Sequence, residues 1–141
     1  MMKNLITNFF LVFILLLSVF TLTACNKPKT IILFNKEPIT KETLLRNSTE
    51  FIAGKRIYYI FITQKPLETG MIRIRVLKRE EKVNYETSKI VFSNDFRLSK
   101  DQIYYYNDYI VMNEAGTYCM EAYAKNNMER PLAIADFRVK R

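Results

Sequence analysis

The sequence contains no histidine and no tryptophan, and it has only two cysteines and three glycines among 141 residues. Histidine is the usual general base near neutral pH and the commonest protein ligand for metals. The Ser-x-x-Lys and Gly-x-Ser-x-Gly patterns of nucleophilic enzymes are missing as well, and no cluster has the spacing of metal ligands. These absences predict a protein that is not an enzyme and that carries no cofactor and no metal.

The amino-terminal segment has the layout of an export signal. Lys3 is the only early charge, and an apolar run follows over residues 9–22. As a helix this run would be about 21 Å long, which is shorter than the roughly 30 Å of a membrane hydrocarbon core. The segment is therefore predicted to direct export and not to span the membrane.

The run ends in Leu22-Thr23-Ala24-Cys25, which resembles the lipobox of bacterial lipoprotein signal peptides. The resemblance implies that a signal peptidase recognises Leu22, Thr23 and Ala24 and removes residues 1–24. It also implies that the sulfur of Cys25 carries a diacylglyceryl group. The expected location is the cell envelope, on the extracytoplasmic side of a membrane, at the outer membrane, the periplasmic face or the cell surface.

Residues 25–29 are then expected to form a short polar tether, and residues 30–141 a single domain. Without residues 1–24 the chain keeps 21 basic and 14 acidic side chains, a formal charge of +7. Because secretion removes nucleic acid as the ordinary partner of such charge, the membrane, an envelope protein or an anionic surface polymer remain as partners. The alternative interpretation is that the charge, spread over the surface, serves solubility alone.

Short segments of β type, separated by turn residues, make up the rest of the chain. The predicted strands cover residues 30–34, 57–62, 72–77, 83–92, 103–106, 109–112, 117–125 and 132–140. The continuous apolar run 57–62 is typical of a strand at the centre of a sheet. Residues 40–45 are predicted to form a capped helical turn or a loop, residues 99–102 at most a single turn, and residues 93–95 and 107–108 breaks between strands. This pattern predicts an all-β, antiparallel sandwich of about seven strands.

The stretch 113–119, Asn-Glu-Ala-Gly-Thr-Tyr-Cys, resembles the entry to the penultimate strand of immunoglobulin-like domains. The resemblance implies a tyrosine corner, in which Gly116 allows a tight turn and the hydroxyl of Tyr118 bonds to the backbone upstream. Cys119 follows the tyrosine directly, no earlier cysteine could bridge to it within the domain, and tryptophan is absent. The likeness is thus to bacterial immunoglobulin-like or fibronectin-like sandwiches and not to antibody domains.

Cys119 has no partner within the chain if Cys25 is acylated. It is then either a buried apolar side chain or a free thiol able to pair between chains. The sequence does not set the number of copies in the native protein.

Two groups of residues are candidates for a binding surface. Arg73 and Arg75 would lie on one face of a strand about 7 Å apart, a spacing that suits a phosphate or sulfate group. Tyr104 and Tyr106 belong to a tyrosine-rich segment, and tyrosine is favoured at recognition surfaces. A solvated sheet face and a core position are the alternative interpretations of the two groups.

The functional hypothesis is a membrane-anchored envelope lipoprotein that acts as a non-catalytic binding or adhesion module. A structural accessory subunit of an envelope complex is the alternative. An enzyme, or an inhibitor of one, is less favoured, because the available carboxylates are also typical of solvated loops. Those carboxylates are Glu42, Glu50, Asp95 and Asp101.

Overall fold

Eight β-strands form two sheets in the part of the chain that a computed structural model describes, residues 29–82 and 85–141. The strands are β1 (Thr30–Asn35), β2 (Glu50–Ile52), β3 (Arg56–Thr63), β4 (Met71–Lys82), β5 (Tyr85–Arg97), β6 (Tyr105–Val111), β7 (Gly116–Ala124) and β8 (Ala133–Lys140). Within these ranges there is no helix, and hence none long and apolar enough to cross a membrane. The predicted all-β fold is confirmed, whereas the predictions for the signal peptide, for Cys25 and for the tether up to Pro28 lie outside the described residues.

The first sheet has the order β1-β3-β6, and β3 pairs antiparallel with both neighbours. Ile57, Tyr59 and Phe61 on the inner side of β3 are fully buried, and Ile60 on the outer side is nearly so. The inner face of β3 is thus fully buried and the outer face is partly buried, which accounts for the continuous apolar sequence of this strand. The central position predicted for residues 57–62 is confirmed.

The second sheet has the order β2-β8-β7-β4-β5. All of its pairs are antiparallel except β2 with β8, which run parallel, so the prediction of a wholly antiparallel sandwich is wrong at this edge. β2 has only three residues, and it is fixed mainly by Phe51, whose buried ring lies 6.1 Å from that of Phe137. A strand this short has no recognisable period in the sequence.

The core consists of inward-facing side chains from both sheets. Along β7, Tyr118, Met120 and Ala122 alternate with outward-facing residues and are almost completely buried. Phe137 of β8 joins the sheets, because its ring lies 4.9 Å from that of Phe34 on β1 and stacks on Tyr118 at 5.4 Å. The terminal pair of strands predicted at residues 117–125 and 132–140 is confirmed as β7 and β8.

Two predicted breaks between strands are wrong. Residues 93–95 continue β5, where Asp95 lies opposite Arg73 and pairs with it, so an attractive cross-strand contact offsets the turn preference of Asn and Asp. Residues 107–108 lie in the middle of β6, which joins the two segments predicted as separate strands. β6 is at the edge of its sheet, and this position tolerates polar side chains.

Two short turns are formed as their sequences indicate. In residues 40–45 the backbone nitrogen of Leu44 donates to the carbonyl oxygen of Thr40 at 2.9 Å, and the hydroxyl of Thr40 accepts from the backbone of Thr43. At residues 99–102 the side-chain oxygen of Gln102 accepts from the backbone and hydroxyl of Ser99. The expectation of at most one turn at residues 99–102 is confirmed.

The connection into β7 is held by the hydroxyl of Tyr118, which donates to the carbonyl oxygen of Glu114 at 2.7 Å. Gly116 has a φ of +157°, and a Cβ at that position would lie 2.9 Å from Cε of Lys78. The lysine side chain crosses the glycine and its ammonium group reaches the Glu114 carboxylate at 2.6 Å. The end of the flexible lysine side chain could shift away from a Cβ, so the preference for glycine comes mainly from the backbone conformation.

Tyr59 provides a test of core energetics, because its fully buried hydroxyl has no hydrogen-bond partner among the described residues. An unsatisfied buried hydroxyl costs about 1–3 kcal/mol. We expect Tyr59→Phe to raise the free energy of unfolding by up to about 1 kcal/mol, measured by chemical denaturation. Tyr106→Phe is the matched control: its hydroxyl donates to Asp108 at 3.1 Å, so its loss should be destabilising. A Tyr59→Phe variant that is less stable than the original protein would contradict the absence of a hydrogen-bond partner for the Tyr59 hydroxyl.

Candidate binding surface

The outer face of the second sheet carries Arg73, whose guanidinium group is already bound. Two of its three nitrogens, Nε and Nη2, donate to the two carboxylate oxygens of Asp95 at 2.6 and 2.9 Å. The ammonium group of Lys125 reaches the same carboxylate at 2.7 Å. The two cations hold the pKa of Asp95 well below its usual range. Arg73 is therefore neutralised within the sheet, by a residue that lies 22 positions along the chain.

Arg75 is occupied in the same way. Its guanidinium group donates to Glu121 at 2.6 Å and to the hydroxyl of Tyr123 at 2.8 Å, and it lies 4.9 Å from the centre of the Tyr123 ring. An anion bound between Arg73 and Arg75 would have to displace two carboxylates that are held by the sheet itself. The geometry thus favours a structural role over the anion site considered for this pair.

Two further cations of this strand also have carboxylate partners. Lys78 contacts Glu114, and Arg79 forms an ion pair with Asp136 at 2.9 Å. The basic outer face expected for β4 consequently holds ion pairs, in which Arg73, Arg75 and Arg79 each meet a carboxylate from another strand.

The structure separates the two candidate tyrosines. Tyr106 lies in the core, 8% exposed, with its ring 4.9 Å from that of Phe96, whereas Tyr104 precedes β6 and is largely exposed. Tyr106 is unsuited to a binding surface because alternation along β6 turns it inward. Tyr105 and Tyr109, which alternate with it, lie on the outer face.

A different cluster is exposed on the outer face of the first sheet. The guanidinium carbon of Arg56 lies 4.5 Å from the ring centre of Tyr109, and the rings of Tyr58 and Tyr109 are 5.8 Å apart. Tyr58 and Tyr109 are direct cross-strand partners. A hydrogen bond with the Tyr58 hydroxyl raises the pKa of Arg56. We refer to Arg56, Tyr58 and Tyr109 as the Arg56 cluster.

Sequence reasoning did not single out Arg56 or Tyr58, although the alternation Arg56-x-Tyr58 places both on one face of a strand. The sequence did not show which strand pairs with β3. Tyr109 reaches the cluster only through the β3–β6 pairing, and a register shifted by one residue would turn it to the other face.

Two hollows flank Tyr58. The first, of about 300 Å³, combines apolar walls with three cationic side chains; it is lined by Lys36, Phe51, Ile52, Lys55, Arg56 and Tyr58. The second, of about 220 Å³, is lined by Pro38, Ile39, Tyr58, Asn107, Asp108 and Tyr109. Tyr58 and its neighbours thus form an aromatic ridge between two depressions.

The lysines of the first hollow differ from the cations on the second sheet in having no carboxylate partner among the described residues. Neither Lys36 nor Lys55 forms an ion pair with any carboxylate in the part of the chain that the structure describes. The pKa of Glu50 is lowered mainly by Lys140 and to a smaller extent by the charge of Lys36. The Glu50 carboxylate forms its ion pair with Lys140, at 2.6 Å, and not with Lys36. The hollow therefore presents positive charge beside aromatic surface, an arrangement that suits a carboxylate or phosphate attached to an apolar group.

Cys119 lies on the outer face of β7 and is partly buried. Burial and, after it, a hydrogen bond to the Asp136 carboxylate raise the pKa of Cys119 to about 11. Neither of the two expected states describes it fully, since the thiol is neither deeply buried nor reactive. At neutral pH it stays protonated and is a poor nucleophile for disulfide exchange.

No group of three His, Cys, Asp or Glu residues in the described ranges could hold a metal ion. The chain matches no family model and no curated protein. Inferences about its role therefore depend on the geometry and charge described above.

Proposed function

We propose that this protein is a membrane-anchored lipoprotein of the cell envelope and that its domain is a non-catalytic binding module. The support for anchoring is the sequence Leu22-Thr23-Ala24-Cys25 after an apolar run, with the first β-strand starting at Thr30. A diacylglyceryl group on Cys25 supplies two acyl chains, enough for stable attachment. The tether between lipid and sheet is a few residues long.

The domain is proposed to be immunoglobulin-like. Strands β3, β4, β7 and β8 would correspond to B, C, F and G of that fold, because β1-β3-β6 form one sheet and β8-β7-β4 lie consecutively in the other. The bond from Tyr118 to the Glu114 carbonyl has the form of a tyrosine corner. Because sandwiches of this kind serve many roles, the fold alone does not assign the ligand.

The Arg56 cluster and the adjoining hollow are the proposed recognition surface. The observation that carries this proposal is the group of cations, Lys36, Lys55 and Arg56, beside exposed aromatic surface and without carboxylate partners among the described residues. The ligand class is anionic: an acidic segment of an envelope protein or an anionic surface polymer. Aromatic rings supply rigid contact area, and the cations supply orientation and rate of encounter.

The charge-reversal variant Lys55→Glu/Arg56→Glu tests this surface. We expect its affinity for poly-glutamate and polyphosphate to fall by about tenfold or more, measured by isothermal titration at constant ionic strength, because attraction becomes repulsion at the site. The matched control is Arg97→Glu/Lys100→Glu, which changes the net charge equally at exposed positions away from the cluster. An equal loss in both variants would mean that binding follows net charge alone. Undiminished binding by the first variant would exclude the cluster.

A further inference from the structure

Exposed apolar side chains gather at one end of the first sheet. Ile31, Ile62 and Tyr105 form a cross-strand row on its outer face, since Ile31 pairs with Ile62 and Ile62 pairs with Tyr105. Ile103 and Tyr104 lie directly before this row. We refer to these five residues as the apolar end; Ile31, Ile103, Tyr104 and Tyr105 are 38–47% exposed.

The apolar end is rigidly supported by backbone hydrogen bonds. The nitrogen of Thr63 donates to the carbonyl oxygen of Tyr104 at 2.9 Å, and that of Leu67 donates to Ile103 at 2.7 Å. These contacts fix the backbone that carries the exposed side chains, although this segment lies partly outside β6. A soluble domain has no reason of its own to hold several large apolar side chains together in water.

Cationic side chains lie at the same end of the domain as the apolar end. A hollow of about 340 Å³ opens at the same end of the domain, and its lining includes Thr30, Thr63, Lys65, Glu68 and Arg130. Lys65 and Arg130 have no ion-pair partner in the part of the chain that the structure describes. Apolar and tyrosine side chains with cations nearby are the composition of surfaces that meet anionic lipid headgroups.

The chain also brings its proposed lipid to this end. Lys29, the first described residue, is tied to the sheet by its backbone nitrogen, which donates to Gln64 at 3.0 Å. Cys25 is four residues earlier, so its sulfur lies within about 14 Å of backbone from Lys29 at full extension. The Arg56 cluster lies towards the opposite end of β6. Tyr109 is four residues from Tyr105, about 13 Å along the strand, and Arg56 pairs with Val111, about 20 Å from Tyr105.

We propose that the apolar end is seated in the headgroup region of the membrane that carries Cys25. The strands of the first sheet then extend from this end away from the lipid, and the Arg56 cluster lies on the side remote from the membrane. This inference rests on the lipid anchor of the proposed function. The anchor supplies a high local concentration of membrane, so a small apolar contact suffices to orient the domain. The occupant is the lipid surface and not a protein partner.

The absence of tryptophan allows a direct test with single fluorescent probes. Tyr105→Trp and Tyr109→Trp place the probe on the same outer face of β6 at positions of similar exposure, 40% and 44%, one at the apolar end and one in the Arg56 cluster. Each lipidated full-length protein is reconstituted into vesicles of phosphatidylcholine and phosphatidylglycerol whose acyl chains are brominated just below the headgroup. Flotation of the vesicles reports anchoring, and tryptophan quenching reports contact.

We expect both variants to float with the vesicles. Relative to vesicles of unbrominated lipid, the fluorescence of Tyr105→Trp should be reduced by about half or more and that of Tyr109→Trp should be nearly unchanged. Flotation with equal quenching, or with none at Tyr105→Trp, would overturn the seating while leaving the anchor intact. Failure to float would overturn the anchor and the seating together. Circular dichroism of each variant before reconstitution verifies that the domain is folded.

Discussion

Phe137→Ala is expected to lower the free energy of unfolding by about 3–5 kcal/mol, as large aromatic deletions in cores do. The ring of Phe137 is 2% exposed and lies within 4.9–6.1 Å of the rings of Phe34, Phe51 and Tyr118. These neighbours belong to β1, β2 and β7. One deletion thus weakens the contact between the two sheets and the attachment of the short parallel strand.

The measurement is equilibrium unfolding in urea, followed by circular dichroism. Since domains of this size have a total stability of about 5–15 kcal/mol, the expected loss is a large share of the total and lowers the midpoint of the urea transition markedly. Ile134→Ala is the matched control, because it removes an apolar side chain from the same strand at a position that is 56% exposed. Its effect should stay within about 0.5 kcal/mol. Similar losses for the two variants would show that Phe137 does not join the sheets as described.

The parts of the fold that could be predicted are those recorded in local hydrophobic pattern. The alternation of Tyr118, Met120 and Ala122 with polar neighbours identifies β7, and the uninterrupted apolar run 57–62 identifies a covered strand. β2 could not be found because only Phe51 marks it. Its parallel pairing depends on β8, which lies far away in the sequence.

Turn propensity was overridden where a strand offered a better contact. Asn and Asp at residues 93–95 favour a turn in isolation, but Arg73 is directly opposite Asp95 once the long β4–β5 pair forms. The pairing of β4 with β5 and with β7 also determines the partners of the two arginines. Their positions on one face follow from period two, whereas the carboxylates that neutralise them, Asp95 and Glu121, come from two other strands.

The Arg56 cluster could not be predicted from the sequence, because it too depends on how two strands pair. Arg56 and Tyr58 become a cluster only when Tyr109 is brought beside them by the β3–β6 register. A tyrosine-rich segment indicated that β6 would present aromatic rings, but which tyrosines face outward depends on where the strand starts. Tyr106 turned inward because the strand runs through residues 107–108 instead of restarting after them.

Cys25→Ala is expected to move the protein from the membrane fraction to the soluble fraction almost completely. In the proposed lipoprotein this thiol accepts the diacylglyceryl group, and each buried methylene of an acyl chain contributes about 0.8 kcal/mol to membrane binding. The apolar end alone would then have to hold the domain at the lipid, with a much smaller apolar area. The measurement is fractionation of cells expressing the full-length chain, with the electrophoretic mobility of each form.

Cys119→Ala is the control, because it removes the other thiol from a partly buried position on the outer face of β7. It should leave both the membrane association and the mobility unchanged. A Cys25→Ala protein that stays on the membrane with its original mobility would contradict lipidation and leave the hydrophobic segment as the anchor. If release occurs as expected, the cations near Lys65 and the Arg56 cluster lose their fixed distance from the membrane. Weak binding of anionic partners at that surface would then require a far higher concentration of protein in solution.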